Sequence, residues 1–236
     1  MMNRILGSVH RRGIRKTIVI GLRYLWHNVT ATRYLWDRLF YLRYGTDTYA
    51  PLEVNKLGVT GDSLWHASAY HPTRAATFIS LMKVLKLPPT YGFVDLGCGK
   101  GRVLLMSAKF GFRVIRGVEF SSVLCKIARC NVEKYIRFVP AASVISVHLA
   151  DITEYELHAD EHVYFIFNAF DNIVIDKLII RFQRSLELHP RPLYVIYNNP
   201  IYQSALDASG LFQIHHEYTF PNDRIAVYSN VTNNVG

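Results

Sequence analysis

Half of the 236 residues are apolar and the formal charge is +9, which suits one globular domain and leaves little room for a second independent core. Apolar runs are interrupted at Arg15, Lys16, Arg23, Arg33 and Arg38, so none approaches the roughly eighteen residues a membrane span needs. Cys98, Cys125 and Cys130 form no metal-ligand spacing, and their pattern fits a reduced, cytoplasmic compartment better than a disulfide framework.

The charge is concentrated at one end. Residues 1–45 hold nine of the 27 Lys and Arg against Asp37 alone, leaving 18 basic and 17 acidic groups for the rest. The body of the chain therefore gives no electrostatic argument for nucleic acid. Two copies of RYLW, at Arg23–Trp26 and Arg33–Trp36, are ten residues apart. That spacing lets both tryptophans share a face of one basic amphipathic helix, or of two short ones, suited to packing on the domain, to a membrane surface or partner protein, to nucleic-acid contact or to an organelle presequence.

Residues 51–65 read as a loop. Beyond it, Pro72 fits a first helical turn, with Phe78, Leu81, Met82 and Leu85 at helical spacing until Pro88 and Pro89. Apolar runs at 93–96, 114–118, 144–149, 163–167 and 193–197 predict strands buried on both faces, separated by helical patterns at 101–110, 121–135, 172–188 and 201–208. This alternation predicts an α/β, doubly wound parallel sheet. Runs at 212–220 and 225–228, joined by Pro221, Asn222 and Asp223, predict a terminal antiparallel hairpin.

Chemistry gathers at the ends of these strands. FVDLGCGKGR places Asp95, Gly97, Gly99 and Gly101 between a strand and a helix, where glycines allow a tight turn and close ligand approach. The spacing is GxGxG, neither a P-loop nor GxGxxG. Lys100 and Arg102 are expected to face solvent or a ligand carboxylate. Glu119 ends the second strand, 24 positions after Asp95, where an acid can accept two ribose hydroxyls. Asp151 with Ile152, Asn168, and Asn198 with Asn199 end the next three strands. In an open α/β sheet these ends face one crevice.

Residues 93–102, Glu119, Asp151 and 165–171 resemble, in order and spacing, the motifs of class I S-adenosylmethionine-dependent methyltransferases over about residues 70–230. The resemblance implies a Rossmann-like seven-stranded sheet in residues 61–236, preceded by the helical extension 1–60. It implies S-adenosyl-L-methionine as cofactor. The loop from Asp95 through Gly97, Cys98 and Gly99 to Gly101 would hold the methionine part, Glu119 the ribose, and Asp151 with Ile152 the adenine. Asn168 and Phe170 would wall the reacting centre. YHPT resembles a YxPT segment of small bacterial methyltransferases and, more distantly, of Dot1-like protein-lysine methyltransferases, which makes Tyr70 and Thr73 a cover over the cofactor. Asn168-Ala169-Phe170 lacks the prolines of (D/N)PP(Y/F), which argues against base methylation. The implied acceptor is an amine on a protein side chain or small molecule, with RNA also open. A scaffold without turnover and a nicotinamide-dependent oxidoreductase are the alternatives.

Overall fold

The structure, a computed structural model, describes residues 39, 41–53, 70–139, 143–167, 170–220 and 223–231. Both RYLW copies, Asn168, Ala169, Pro221 and Asn222 lie outside the described residues. The elements follow in order as α1 (Ala75–Leu85), β1 (Gly92–Leu96), α2 (Arg102–Ser107) with a 3-10 turn Ala108–Phe110, β2 (Val114–Glu119) and α3 (Ser122–Phe138). After them come β3 (Val144–Leu149), β4 (Glu161–Phe167), α4 (Asn172–Leu188), β5 (Tyr194–Asn198), α5 (Gln203–Ala208), β6 (Gln213–Phe220) and β7 (Asp223–Ser229).

The seven strands form one sheet in the order β3-β2-β1-β4-β5-β7-β6. Five are parallel and β7 runs antiparallel between β5 and β6, so the expected doubly wound sheet and closing hairpin are both present. β1 is buried along its whole length, because strands and crossovers flank it on both sides. Phe78, Phe93, Leu104, Phe112 and Phe165 fill one face of the sheet; Val94, Tyr164, Phe182, Val195 and Tyr228 fill the other.

Three expectations need correction. β3 is exposed or half-buried throughout, since it forms one edge of the sheet and has a neighbour on one side only. α1 begins at Ala75, because Arg74 holds an extended conformation (ψ 122°) at its N-cap and Pro72 stays in the approach. Lys100 and Arg102 are each 2% exposed, covered by residues 46–48.

No helix connects β3 to β4. The intervening turn is pinned by a buried knot around Glu161, which is fully inaccessible. Glu161 accepts from Tyr155 Oη at 2.6 Å, Tyr164 Oη at 2.9 Å and the His158 amide at 2.9 Å. Arg181 of α4 donates to Thr153 O at 2.7 Å and Tyr155 O at 2.6 Å. A carboxylate taken out of water needs such donors, and those it recruits fix the path of residues 151–160. Tyr164→Phe deletes one of them. We expect a loss of about 1.5–3 kcal/mol of stability, the range for hydrogen bonds to charged groups, measured by denaturant unfolding.

Candidate functional site

The strand register puts the chemistry in one row. Leu96 pairs with Val118 and Ile166, Val118 with His148, and Ile166 with Tyr197. One residue further on, Glu119 pairs with Leu149 and Phe167 with Asn198. The parallel strands therefore stop level with one another, and their C-terminal residues open on one edge.

Between β1 and α2 the loop turns through left-handed backbone at Gly97 (φ 76°), Gly99 (54°) and Gly101 (79°), a conformation that favours glycine. Four of its amides are already committed. Gly97 N and Cys98 N donate to Val118 O at 2.9 and 3.0 Å, and Gly101 N donates to Cys98 O at 2.8 Å. Gly99 N donates to Glu119 Oε2 at 2.9 Å, and Ser121 N donates to Glu119 Oε1 at 2.9 Å. Glu119 thus ties together the loop, the end of β2 and the start of α3.

Two acids sit at this edge, each 3% exposed. Asp95 has no hydrogen-bond donor among the described residues, and burial, then the neighbouring Glu119, pushes its carboxyl well above the usual carboxylate range. Burial also raises Glu119, opposed by its amide donors. The Cys98 thiol is driven up by burial and by both acids, so it stays neutral. An edge that spends four loop amides internally and presents two buried acids suits a donor or positive charge better than a phosphate, which takes free N–H groups.

Tyr70 roofs the loop. Its backbone pairs with Leu52, its hydroxyl donates to Thr48 O at 3.0 Å, and its ring lies where a Cβ on Gly99 would stand. Burial raises the phenol's pKa, keeping it a neutral donor. Thr73 is buried just ahead of α1, and His71 is exposed.

Asp151 is exposed two residues past β3, accepting from Thr153 N at 2.7 Å and Thr153 Oγ1 at 2.8 Å. Its neighbour Ile152 is 5% exposed. Phe170 is half-buried and packs on the face carrying α4. The structure thus brings Tyr70, Asp95, the glycine loop and Glu119 into contact. It places Asp151, Ile152 and Phe170 on neighbouring strand ends.

Asn131, Asp47 and Thr48, none of them at a strand end, also touch the loop and its flanks. Asn131 occupies the buried stripe Leu124, Ala128, Asn131, Tyr135 of α3. A lone amide on an apolar stripe signals a buried polar partner. Among the described residues no cluster of His, Cys, Asp and Glu is arranged to hold a metal ion, and no helix is long and apolar enough to cross a membrane.

The family model described as "Histone methylation protein DOT1" matches residues 65–189. A ribosomal protein L11 methyltransferase from Ruminiclostridium cellulolyticum is 31% identical over 85 residues, which is 35% of this chain and only 25% of that protein's length. Among solved structures, an RNA methyltransferase from Salinibacter ruber in complex with S-adenosyl-L-homocysteine superposes with a TM-score of 0.51 at 17% identity, over 70% of this chain and 99% of that one. TrmN from Thermus thermophilus gives 0.53 at 15% identity, over 67% of this chain and 49% of that one. These likenesses show a shared fold.

The two raised carboxyls set a pH dependence. Above about pH 4, where unfolded carboxyls release their protons, the folded chain holds more protons than the unfolded one. Their contribution is present in full below that pH and is lost as the pH rises through the folded-state values. We expect Asp95→Asn without cofactor to melt higher than the parent at pH 7, with the gap closing towards pH 4 in differential scanning calorimetry.

Proposed function

Since the chain belongs to the DOT1 histone-methylation family and has the fold of class I S-adenosylmethionine-dependent methyltransferases, we propose that it transfers a methyl group from S-adenosyl-L-methionine to an amine. The observation carrying this reading is the buried carboxyl of Asp95, raised well above its usual range and without a donor among the described residues, beside a loop that spends four of its amides internally. The residues present fit a cationic cofactor and suit a pyrophosphate poorly, which disfavours the nicotinamide alternative.

When bound, the cofactor supplies an electrophilic methyl on a sulfonium: the acceptor nitrogen takes the methyl, the carbon–sulfur bond breaks, and its electrons stay on sulfur. The work of the chain is alignment and exclusion of water, effects that can reach about 7–11 kcal/mol in well-oriented systems. Asp95 offers its carboxylate to the ammonium of the methionine end. Glu119 spends one lone pair of each oxygen on Gly99 N and Ser121 N and keeps acceptor capacity for the ribose hydroxyls. Ile152 gives an apolar seat to the adenine, and Asp151 accepts from its amino group. Tyr70 and Thr73 close the loop side.

By the motif likeness, Asn168 and Phe170, which follow β4 in the chain, would wall the acceptor side. Asn168 Oδ1 would accept an N–H and turn the nitrogen lone pair towards the methyl, and the proton released on transfer would pass to water. The family points to a protein side chain first and a small amine second. RNA ranks third, because the body of the chain carries nearly balanced charge.

The parent protein is expected to bind S-adenosylmethionine in isothermal titration, and absence of binding by folded protein would sink the proposal. Asp95→Asn should weaken affinity by about 10- to 100-fold, the loss of one hydrogen bond to a charged group. Asn168→Ala should leave affinity within about threefold and remove radiolabelled methyl transfer into protein substrates.

A further inference from the structure

Residues 44–48 cross the glycine loop and are fastened to it from several elements. Asp47 holds both carboxylate oxygens 3.0 Å from Lys100 Nζ, in a pair whose lysine side chain is 3% exposed and whose aspartate is 55% exposed. Thr48 O accepts from Tyr70 Oη at 3.0 Å and lies 3.5 Å from Arg102 Nη1. Tyr44 anchors the start of the segment edge-on against Tyr135 of α3, with ring centroids 4.9 Å apart.

At the centre stands Asn131, 1% exposed. Its Oδ1 accepts from Asp47 N at 2.8 Å, while Nδ2 donates to Asp47 O at 3.0 Å and to Lys100 O at 2.9 Å. The two ends of the amide are not interchangeable, because a flip would set Oδ1 against two carbonyls. One side chain thus joins α3 to both the crossing segment and the loop. Thr46 Oγ1 and Thr48 Oγ1 of this segment are buried without a hydrogen-bond partner among the described residues, a cost that its other contacts offset.

We propose that Asn131 is a positioning residue for cofactor binding. It locks residues 46–48 onto the loop, and Thr48 O, held there, keeps the Tyr70 ring over Gly99 as a roof for the methionine end. The inference rests on the reading in which Asp95 to Gly101 receive that end. Asn131 acts through Asp47, Thr48 and Tyr70 and touches no reacting atom.

The test is titration of S-adenosylmethionine and S-adenosylhomocysteine into the parent, Asn131→Asp, Asp47→Ala, Tyr70→Phe and the Asn131→Asp/Tyr70→Phe double variant, each with its melting temperature. Asn131→Asp keeps the shape and the acceptor but loses both donors. It should raise Kd at least about tenfold at a temperature where it is fully folded. Tyr70→Phe should raise Kd by less, and the double variant should fall short of the product of the two, because both act through one segment. Asp47→Ala changes a side chain more than half exposed and should weaken binding even if Asn131→Asp folds poorly. Tyr228→Phe, which deletes only the hydrogen bond to Asp207 of α5, is the control, lowering the melting temperature without moving Kd.

A Kd within about twofold of the parent in both Asn131→Asp and Asp47→Ala, with only the melting temperature reduced, would make the contacts structural and overturn the inference. Full additivity in the double variant would overturn it equally. Failure of the parent to bind either ligand would be a different result, since it removes the cofactor reading itself.

Discussion

Two carboxylates withdrawn from water at one sheet edge set the terms for everything around them. Asp95 and Glu119 are each nearly inaccessible, and each raises the proton affinity of the site. Glu119 is tolerated because two backbone amides reach it, from the glycine loop and from the start of α3. That requirement shapes the loop: turning Gly99 N towards Glu119 takes left-handed backbone and leaves the loop without that amide for an anion. Asp95 has no such donor among the described residues, so it is relieved by keeping its proton or by meeting a donor or a cation.

A second buried carboxylate, Glu161, shows the contrasting solution. Three donors satisfy it, two of them tyrosine hydroxyls, and the Arg116 guanidinium lies 3.4 Å away. Its effect is mechanical, holding the turn of residues 151–160 between β3 and β4. The same residue type thus serves as scaffold at one end of β4 and, in the proposed reading, as a ribose acceptor at the end of β2. A fuller supply of donors and a nearby cation separate the two uses.

The sheet was legible in the sequence because parallel strands buried on both faces leave unbroken apolar runs, as at 93–96 and 163–167, and because glycine loops punctuate them. Asp95 and Glu119 were legible as acids at consecutive strand ends, a pattern set by local order along the chain. Burial of Lys100 and Arg102 was not, since what covers them lies about fifty residues upstream. Asn131 left a trace as an amide on an apolar helical stripe, but its partners are 31 and 84 residues away. The exposure of β3 depends on its place at the edge of the sheet, which no local pattern encodes. The opening of α1 at Ala75 turned on the backbone of Arg74, where Pro72 was a reasonable but early start.

The crossing segment also bears on the order in which the molecule assembles. Residues 46–48 leave the ribosome long before α3, so the amide that fastens them does not yet exist when they appear. The loop to be closed between Asp47 and Asn131 spans 84 residues, and closing it costs chain entropy before any contact offsets it. The sheet core around β1, β2 and β4 can therefore form first, with the roof over the glycine loop docking onto a surface already built. During synthesis the chain would pass through a stage in which its fold is recognisable and its ligand edge still stands open to water.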